Sequence, residues 1–220
     1  MLLLWVGSRR CYDVRVNIDC VFFDYDGVLT TDATGSTTTC RYLSERTGVP
    51  LEQVKSAFVR HNRALTLGQV THEDVWPEIC SAVGEALPPQ VLTEAFDSTP
   101  ANRLMFELAE RLRAACRVAI ITDNKLDRIH RLIAVQRLDE LFDPIIVSAA
   151  HGCAKASGEL FDRALDIARV PAGRAVFIDN DEQNVAVAAA CGMHAIHFDH
   201  QRNDVAALAA RLRRTFDLPV

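Results

Sequence analysis

The sequence lacks the features that mark membrane proteins and nucleic-acid-binding proteins. No apolar run approaches the roughly 20 residues that a membrane-spanning helix needs, and the opening MLLLWV ends after six residues. That segment also lacks the leading charges and the length of a signal peptide. Basic residues number 24 against 29 acidic ones, and they form no basic stripe. We therefore expect neither a membrane nor a nucleic acid as a partner.

The cysteines lack any arrangement that binds a metal or forms a disulfide framework. Seven are scattered along the chain, and no two have the C-x-x-C spacing. Cys20 and Cys116 lie in or beside apolar runs, where a thiol behaves as a small hydrophobic group. The pattern predicts free thiols in a reducing cytoplasm, with neither disulfides nor a zinc site.

Internal repeats and low-complexity tracts are also lacking. The 220 residues are 49% apolar and 24% charged, which is typical of a soluble globular enzyme. That length suffices for one hydrophobic core, or for one core with a small insert. Residues 1–15 are predicted to be an N-terminal extension without an assigned role.

Five short apolar runs predict buried strands. They are continuous more than alternating, as expected when helices cover both faces of a parallel sheet. Helical patterns lie between them, which predicts an α/β fold with right-handed crossovers. The predicted strands are Cys20–Phe23, Val118–Ile121, Ile145–Val147, Ala175–Ile178 and His194–Phe198.

Capping residues predict where three helices begin or end. Thr99 and Pro100 would start a helix that presents an apolar stripe, because a hydroxyl caps well and proline suits a first turn. Ser157 would open a later helix, and Gly192 would end the helix over residues 182–191.

Residues 33–99 interrupt the alternation of strands and helices. They carry helical signals without a convincing strand, and we interpret them as a small helical insert. The catalytic core would then comprise residues 16–32 and 100–220. The predicted helices of the insert are 37–47, 51–65, 71–83 and 88–97, and its own core would contain Phe58, Trp76 and Phe96.

Polar side chains follow three of the predicted strands. Asp24 and Asp26, in the segment FFDYDGVLT, follow the first strand. Thr122 ends the second, and Asp179 ends the fourth. Because ligands of open α/β sheets bind outside the carboxyl ends of the strands, we expect these side chains to converge. Two carboxylates so close together need a proton, a metal or a basic partner.

The same residues resemble the motifs of the haloacid dehalogenase-like (HAD) hydrolase superfamily. DYDGVLT resembles its first motif, D-x-D-G-x-x-x-[TV]; Thr122 resembles the second and Lys155 the third. VFIDNDEQNVAVAAACGMHAIHF is similar to the fourth motif and its continuation. The motifs occur in order over residues 18–200. The resemblance implies a Rossmann-like parallel sheet core and a helical type 1 cap over residues 33–99.

The resemblance implies roles for the matching residues. Asp24 would be the nucleophile that forms an aspartyl-phosphate. Asp26 would be the general acid for the leaving oxygen and then the base that activates water. Lys155 and Thr122 would hold the phosphate oxygens.

Two further residues of the motifs would contact the substrate. Asp123 follows Thr122 directly in the second motif. Gly27 would permit a close turn after Asp24, next to backbone N–H groups that face the phosphate.

Mg²⁺ is the cofactor that the resemblance implies. The ion would lie between Asp24, the backbone carbonyl of Asp26 and the fourth motif, since hard oxygen ligands suit it. Many relatives have two adjacent acids where this sequence has Asp179 and Asn180. The ion would then be held more weakly, or Asp179 or Asp181 would hold it.

The implied activity is the hydrolysis of a small phosphate monoester by a monomer or homodimer. Relatives that cleave carbon–halogen bonds generally lack the second aspartate, because a halide leaves without a proton. The stretch LTLGQVTHEDVWPEI is similar to sugar-phosphate phosphatases and to the N-terminal phosphatase domain of soluble epoxide hydrolases. Three alternatives stay open: a phosphomutase, a non-catalytic phosphometabolite-binding or regulatory protein, and a 2-haloacid dehalogenase.

Overall fold

A five-stranded parallel sheet forms the centre of the fold. The computed structural model describes residues 17–220, so the predicted extension over residues 1–15 lies outside the described residues. The spatial order is β3-β2-β1-β4-β5. Each strand lies within one residue of its predicted bounds, and the α/β fold class is confirmed. The strands are β1 (Cys20–Phe23), β2 (Arg117–Thr122), β3 (Ile145–Val147), β4 (Ala175–Asp179) and β5 (His194–His197).

Helices cover both faces of the sheet. Val21 and Phe23 of β1 pack against helices on one face, and Cys20 and Phe22 pack against helices on the other. Burial on both faces explains the continuous apolar runs. The helices that follow β1 and the insert are α5 (Arg103–Leu112), α6 (Leu126–Gln136), α7 (Ser148–His151), α8 (Glu159–Ala168), α9 (Glu182–Ala190) and α10 (Val205–Phe216).

Four helices between β1 and α5 have a hydrophobic cluster of their own. Phe58, Trp76 and Phe96 are buried in it, as the sequence predicts. Each helix buries one apolar stripe against the others, which is how short helices gain stability from packing. These helices are α1 (Gly35–Thr47), α2 (Leu51–Thr66), α3 (His72–Val83) and α4 (Gln90–Asp97).

Two predicted helix starts are wrong. Helix α5 begins at Arg103, not at Thr99 and Pro100. The chain there is extended instead, because Ala101 pairs with Thr30 in an antiparallel bridge and Asn102 N–H donates to Leu29 O at 2.8 Å.

The other wrong start is at Ser157. Helix α8 begins at Glu159 after Gly158, and the Ser157 hydroxyl donates to Ala154 O at 3.0 Å rather than capping the helix. Gly192 does follow the end of α9, with φ of 86°.

The cysteines and the helices of the described residues bear on two further predictions. The six cysteines within residues 17–220 are free thiols. Across that same range, every helix is too short or too polar to cross a bilayer.

The register of the sheet brings the polar strand ends to one edge. Phe23 lies beside Ile120 of β2 and beside Ile178 of β4. The residue that follows β1, Asp24, therefore leaves the sheet beside Asp179, and Thr122 leaves it on the other side. Convergence of the predicted site residues thus follows from strand register.

Candidate active site

The turn after β1 depends on a glycine. Gly27 has φ of 83°, and a Cβ there would lie 2.5 Å from the Asn180 side-chain nitrogen. Its N–H donates to the Thr30 hydroxyl at 3.0 Å. Gly27 is absent from the cavity wall described below. Gly27 therefore forms the turn after β1, and its contact with the substrate stays a prediction.

Lys155 is the basic partner of the strand-end carboxylates. Its Nζ lies 2.9 Å from Asp24 Oδ1 and 2.7 Å from Asp179 Oδ2. All three residues are buried, with exposures of 2% for Lys155, 6% for Asp24 and 0% for Asp179. The ion pairs compensate part of the cost of burying three ionisable groups.

Burial and charge shift the titration of this cluster in opposite directions. Burial raises the pKa of Asp24 from 3.8 to about 8, although Lys155 pulls it down. Burial alone would lower the pKa of Lys155, but Asp24 and Asp179 hold it above its ordinary value. One ammonium group thus lies beside two carboxylates. When both carboxylates are ionised, the cluster carries one net negative charge.

Asp179 is held by its neighbours through both carboxylate oxygens. Oδ1 accepts from the Asp181 N–H at 2.7 Å, and Oδ2 accepts from Asn184 Nδ2 at 3.1 Å besides Lys155. Asp181 itself caps α9 by accepting from the Gln183 N–H at 2.7 Å. Asp181 is therefore the N-cap of α9.

Two other side chains at the strand ends have an oxygen that could bind a metal. Asp24 Oδ2 and the Asn180 carboxamide oxygen accept no hydrogen bond within residues 17–220, whereas the Asn180 nitrogen approaches Ala33 O at 3.5 Å. Over the same range, no three His, Cys, Asp or Glu side chains form a ready cluster. A few hard oxygens beside a phosphate site are how Mg²⁺ is commonly bound. The donor set fits that ion.

Asp26 is held by an arginine from α6. Arg128 Nη1 lies 2.8 Å from Asp26 Oδ2, and Nη2 lies 2.8 Å from Oδ1. Asn124 Nδ2 also donates to Asp26 Oδ2, at 3.1 Å. The carboxylate is thereby fixed in orientation.

The residues at the end of β2 complete the site. Thr122 is buried, with 1% exposure, and its hydroxyl lies 3.5 Å from Asn124 Nδ2. Asp123 Oδ1 accepts from the backbone N–H of Lys155 at 3.0 Å. Burial raises the pKa of Asp123. Asp123 therefore ties the loop that carries Lys155 to the end of β2.

A cavity of about 560 Å³ lies between the sheet edge and helices α1 to α4. Its floor contains Asp24, Asp26, Thr122, Asp123, Lys155, Asp179 and Asn180. The opposite wall includes the apolar side chains of Phe58, Leu65 and Phe96. The cavity therefore combines a charged end with a partly apolar end.

Helix α6 joins the insert to the sheet. His72 Nδ1 lies 2.8 Å from Asp127 Oδ2, and Arg131 Nε lies 2.6 Å from Asp97 Oδ1. Burial raises the pKa of Asp127, but His72 and backbone hydrogen bonds together outweigh burial and hold this pKa below its ordinary value. These contacts fix the insert over the cavity.

Sequence reasoning missed Arg128, Asn124 and Asn184. A signal for Arg128 existed, because it lies four residues before the buried Leu132 and so shares the inward face of α6. Asn184 lies five residues after Asp179, near the start of α9. No sequence signal distinguished Asn124 from a residue of an ordinary loop.

The chain is similar to a sesquiterpene phosphatase and to solved hydrolase structures. It is 27% identical over 135 residues to a sesquiterpene phosphatase of Aspergillus oryzae, covering 59% of this chain and 68% of that protein. A predicted HAD-like family hydrolase from Porphyromonas gingivalis superposes with a TM-score of 0.74 at 21% identity, covering 89% of this chain and 98% of that one.

Two further structures bear on the alternatives. A HAD family enzyme from Bacteroides thetaiotaomicron, in complex with magnesium and inorganic phosphate, gives a TM-score of 0.67 at 17% identity, with 82% and 94% of the two chains covered. An L-2-haloacid dehalogenase from Xanthobacter autotrophicus gives 0.65 at 16% identity, with 89% and 82% covered. At such identities these likenesses show a shared fold, and fold does not fix function.

The family assignment rests on the match along the chain. The family model for haloacid dehalogenase-like hydrolases matches residues 18–192, which contain all four predicted motifs. The match ends on Gly192, after α9, so it includes β1, the helical insert and the loop that carries Lys155. The protein therefore belongs to the haloacid dehalogenase-like hydrolase family.

Proposed function

We propose that the protein is a Mg²⁺-dependent phosphatase that hydrolyses a small organic phosphate monoester through an aspartyl-phosphate. One observation carries this proposal: a buried Asp24–Lys155–Asp179 cluster opens into the same cavity as the carboxylate of Asp26. A nucleophile, a fixed cation and a proton carrier are thus within one site.

In the first step, Asp24 attacks the phosphorus atom. A bond forms between an Asp24 carboxylate oxygen and phosphorus, and the bond from phosphorus to the ester oxygen breaks. Asp26 gives its proton to the departing oxygen, so that an alcohol leaves rather than an alkoxide. Lys155 and Thr122 hold the non-bridging phosphate oxygens, where negative charge collects.

In the second step, Asp26 acts as the base. It takes a proton from water, whose oxygen attacks phosphorus while the bond from phosphorus to Asp24 breaks. Inorganic phosphate leaves, and Asp24 returns to its free carboxylate. Asp26 has regained the proton that it gave away, so the cycle is balanced.

Asp24, Asn180 and the backbone carbonyl of Asp26 would hold Mg²⁺, with Asp179 beside them. When bound, the ion supplies positive charge to the crowded carboxylates and to the substrate phosphate. Asp179 keeps Lys155 and the start of α9 in place, since both of its oxygens are already hydrogen-bonded.

The position of Asp26 favours a phosphate ester over a haloacid. A halide needs no proton to leave, whereas an alkoxide does, and Asp26 opens into the cavity beside Asp24. The sesquiterpene phosphatase relative supports the same reaction class. The dehalogenase neighbours share the fold, so the fold does not separate the two reactions. The proton that an alkoxide needs from Asp26 does separate them.

Helices α1 to α4 act as the cap that covers the substrate. They provide the wall opposite Asp24, and the apolar side chains of Phe58, Leu65 and Phe96 suit the carbon skeleton of an organic ester. The free thiols fit an enzyme of the reducing cytoplasm. Substrate screening should therefore compare terpenyl and other alkyl phosphates with sugar phosphates.

The test is phosphate release from p-nitrophenyl phosphate by the purified protein. We expect release with Mg²⁺, loss of release with excess EDTA, and no release by Asp24→Asn. The matched control is Asp19→Asn, which removes a carboxylate just before β1, where Asp19 pairs with Arg174. The control should retain activity.

Three results would contradict parts of the proposal. Turnover by Asp24→Asn would remove Asp24 as the nucleophile. Chloride release from 2-chloropropionate without phosphatase activity would indicate a dehalogenase. Transfer of the phosphoryl group back to a sugar, with little free phosphate, would indicate a phosphomutase.

A further inference from the structure

The burial of Arg128 needs a physical explanation. Its side chain is buried, with 2% exposure, at the edge of the cavity. Arginine is rarely buried unless it is paired, and here the pairing is a two-bond fork onto Asp26. A lysine would bring the charge without the fork.

The fork fixes the plane of the Asp26 carboxylate as well as its position. Each oxygen accepts one guanidinium N–H at 2.8 Å. Asn124 adds a second restraint, because its Nδ2 donates to Asp26 Oδ2 and its Oδ1 accepts from Arg128 Nη1 at 3.0 Å. Asp26, Arg128 and Asn124 therefore form a closed hydrogen-bonded triangle.

The surroundings are shaped around the guanidinium. A Cβ on Gly35 would lie 2.3 Å from Arg128 Cζ, so a larger residue at the start of α1 would displace the guanidinium from this position. Arg128 Nη2 also lies 3.4 Å from the Thr99 hydroxyl. Arg128 thus donates to both oxygens of Asp26, although its own Nε has no partner within residues 17–220.

We propose that Arg128 is a positioning residue that aims the Asp26 carboxylate at the leaving-group oxygen. This inference rests on the proposed function, in which Asp26 delivers that proton. Without the fork, Asp26 would rotate about its side-chain bonds, and proton delivery would lose its alignment. Arg128 acts through Asp26 and does not itself transfer a proton.

The leaving group separates this role from a merely structural one. A nitrophenolate leaves readily without a proton, whereas an alkoxide depends on the acid. A change between variants in the ratio of kcat/KM for p-nitrophenyl phosphate to kcat/KM for propyl phosphate therefore reports on proton delivery to the leaving group. Since kcat/KM covers events up to loss of the alcohol, slow hydrolysis of the aspartyl-phosphate does not affect the ratio.

The experiment measures this ratio in the wild type, Arg128→Gln, Arg128→Lys, Asp26→Asn and the double variant Asp26→Asn/Arg128→Gln. We expect Arg128→Gln to raise the ratio about 10- to 100-fold, because misplacing a catalytic group has effects of that order. Arg128→Lys should give an intermediate ratio, since an ammonium cannot form the fork. The double variant should match Asp26→Asn, because two residues that act as a unit are not additive.

The matched control is Arg131→Gln. Arg131 lies one turn further along α6 and pairs with Asp97 of the insert through an exposed contact. Its loss removes a charge from the same helix without touching Asp26, so the ratio should stay at the wild-type value.

Several outcomes would overturn the inference. One is an equal loss for both substrates in Arg128→Gln, and another is an additive effect in the double variant. If Arg128→Gln does not fold, Arg128→Lys decides, and a wild-type ratio there rejects the role. Failure of the proposed function looks different: Asp26→Asn itself would leave the ratio unchanged, or the wild type would release no phosphate.

Discussion

Replacing Lys155 with methionine tests the charge balance of the site most directly. Methionine keeps an unbranched side chain but removes the ammonium that lies 2.9 Å from Asp24 and 2.7 Å from Asp179. Both carboxylates stay buried, with exposures of 6% and 0%. Breaking a buried ion pair in this way costs about 3–5 kcal/mol of the free energy of unfolding.

The loss of stability in Lys155→Met should increase as the pH rises. Burial raises the pKa of Asp24 from 3.8 to about 8, so the folded state binds more protons than the unfolded state between these values. Stability of the metal-free protein therefore falls as the pH rises through this window, by up to about 1.4 kcal/mol per pH unit. Lys155 lowers the pKa of Asp24, so in Lys155→Met the fall should continue above pH 8.

The assay is urea denaturation in EDTA, followed by circular dichroism from pH 5 to pH 9. We expect the difference between Lys155→Met and the wild type to be larger at pH 8 than at pH 5, where Asp24 is protonated in both. The control is Lys55→Met, whose partner Glu52 is 82% exposed. That variant should stay within about 0.5 kcal/mol of the wild type at every pH. Equal stabilities of Lys155→Met and wild type at pH 8, or parallel pH curves, would refute the reasoning.

Three other predictions test the turn, the metal site and the insert. Gly27→Ala should lower the free energy of unfolding by about 1–3 kcal/mol, because it places a Cβ against Asn180 at positive φ. Gly84→Ala, at positive φ but in open space, should cost only about 1 kcal/mol, and equal losses in denaturant titrations would contradict the steric argument. Asn180→Asp should tighten Mg²⁺ binding in calorimetry, and an unchanged or weaker affinity would exclude Asn180 as a ligand. Ile79→Ala, at a residue with 0% exposure in the insert, should cost about 2–5 kcal/mol in urea denaturation, and a loss below 1 kcal/mol would show that the insert has little core of its own.

The sequence by itself determined the sheet and the convergence of the site. Buried parallel strands need apolar runs without interruption. Such runs in the sequence predict β1, β2 and β4. The carboxyl ends of parallel strands lie at one edge of the sheet, so the sequence alone predicts that Asp24 and Asp179 lie together. The family motifs then indicated Lys155, whose ammonium lies between those two carboxylates.

Only the tertiary structure decided which partners hold these groups. Arg128 and Asp26 are 102 residues apart. Helical periodicity places Arg128 on the buried face of α6, but it does not select the turn after β1 as the partner of Arg128. The start of α5 at Arg103 depends on pairing between Ala101 and Thr30, which a local capping signal cannot anticipate. Strand patterns are local and repeat along the chain, so they can be read from sequence. Side-chain partners depend on how distant helices pack, and packing is a property of the whole fold.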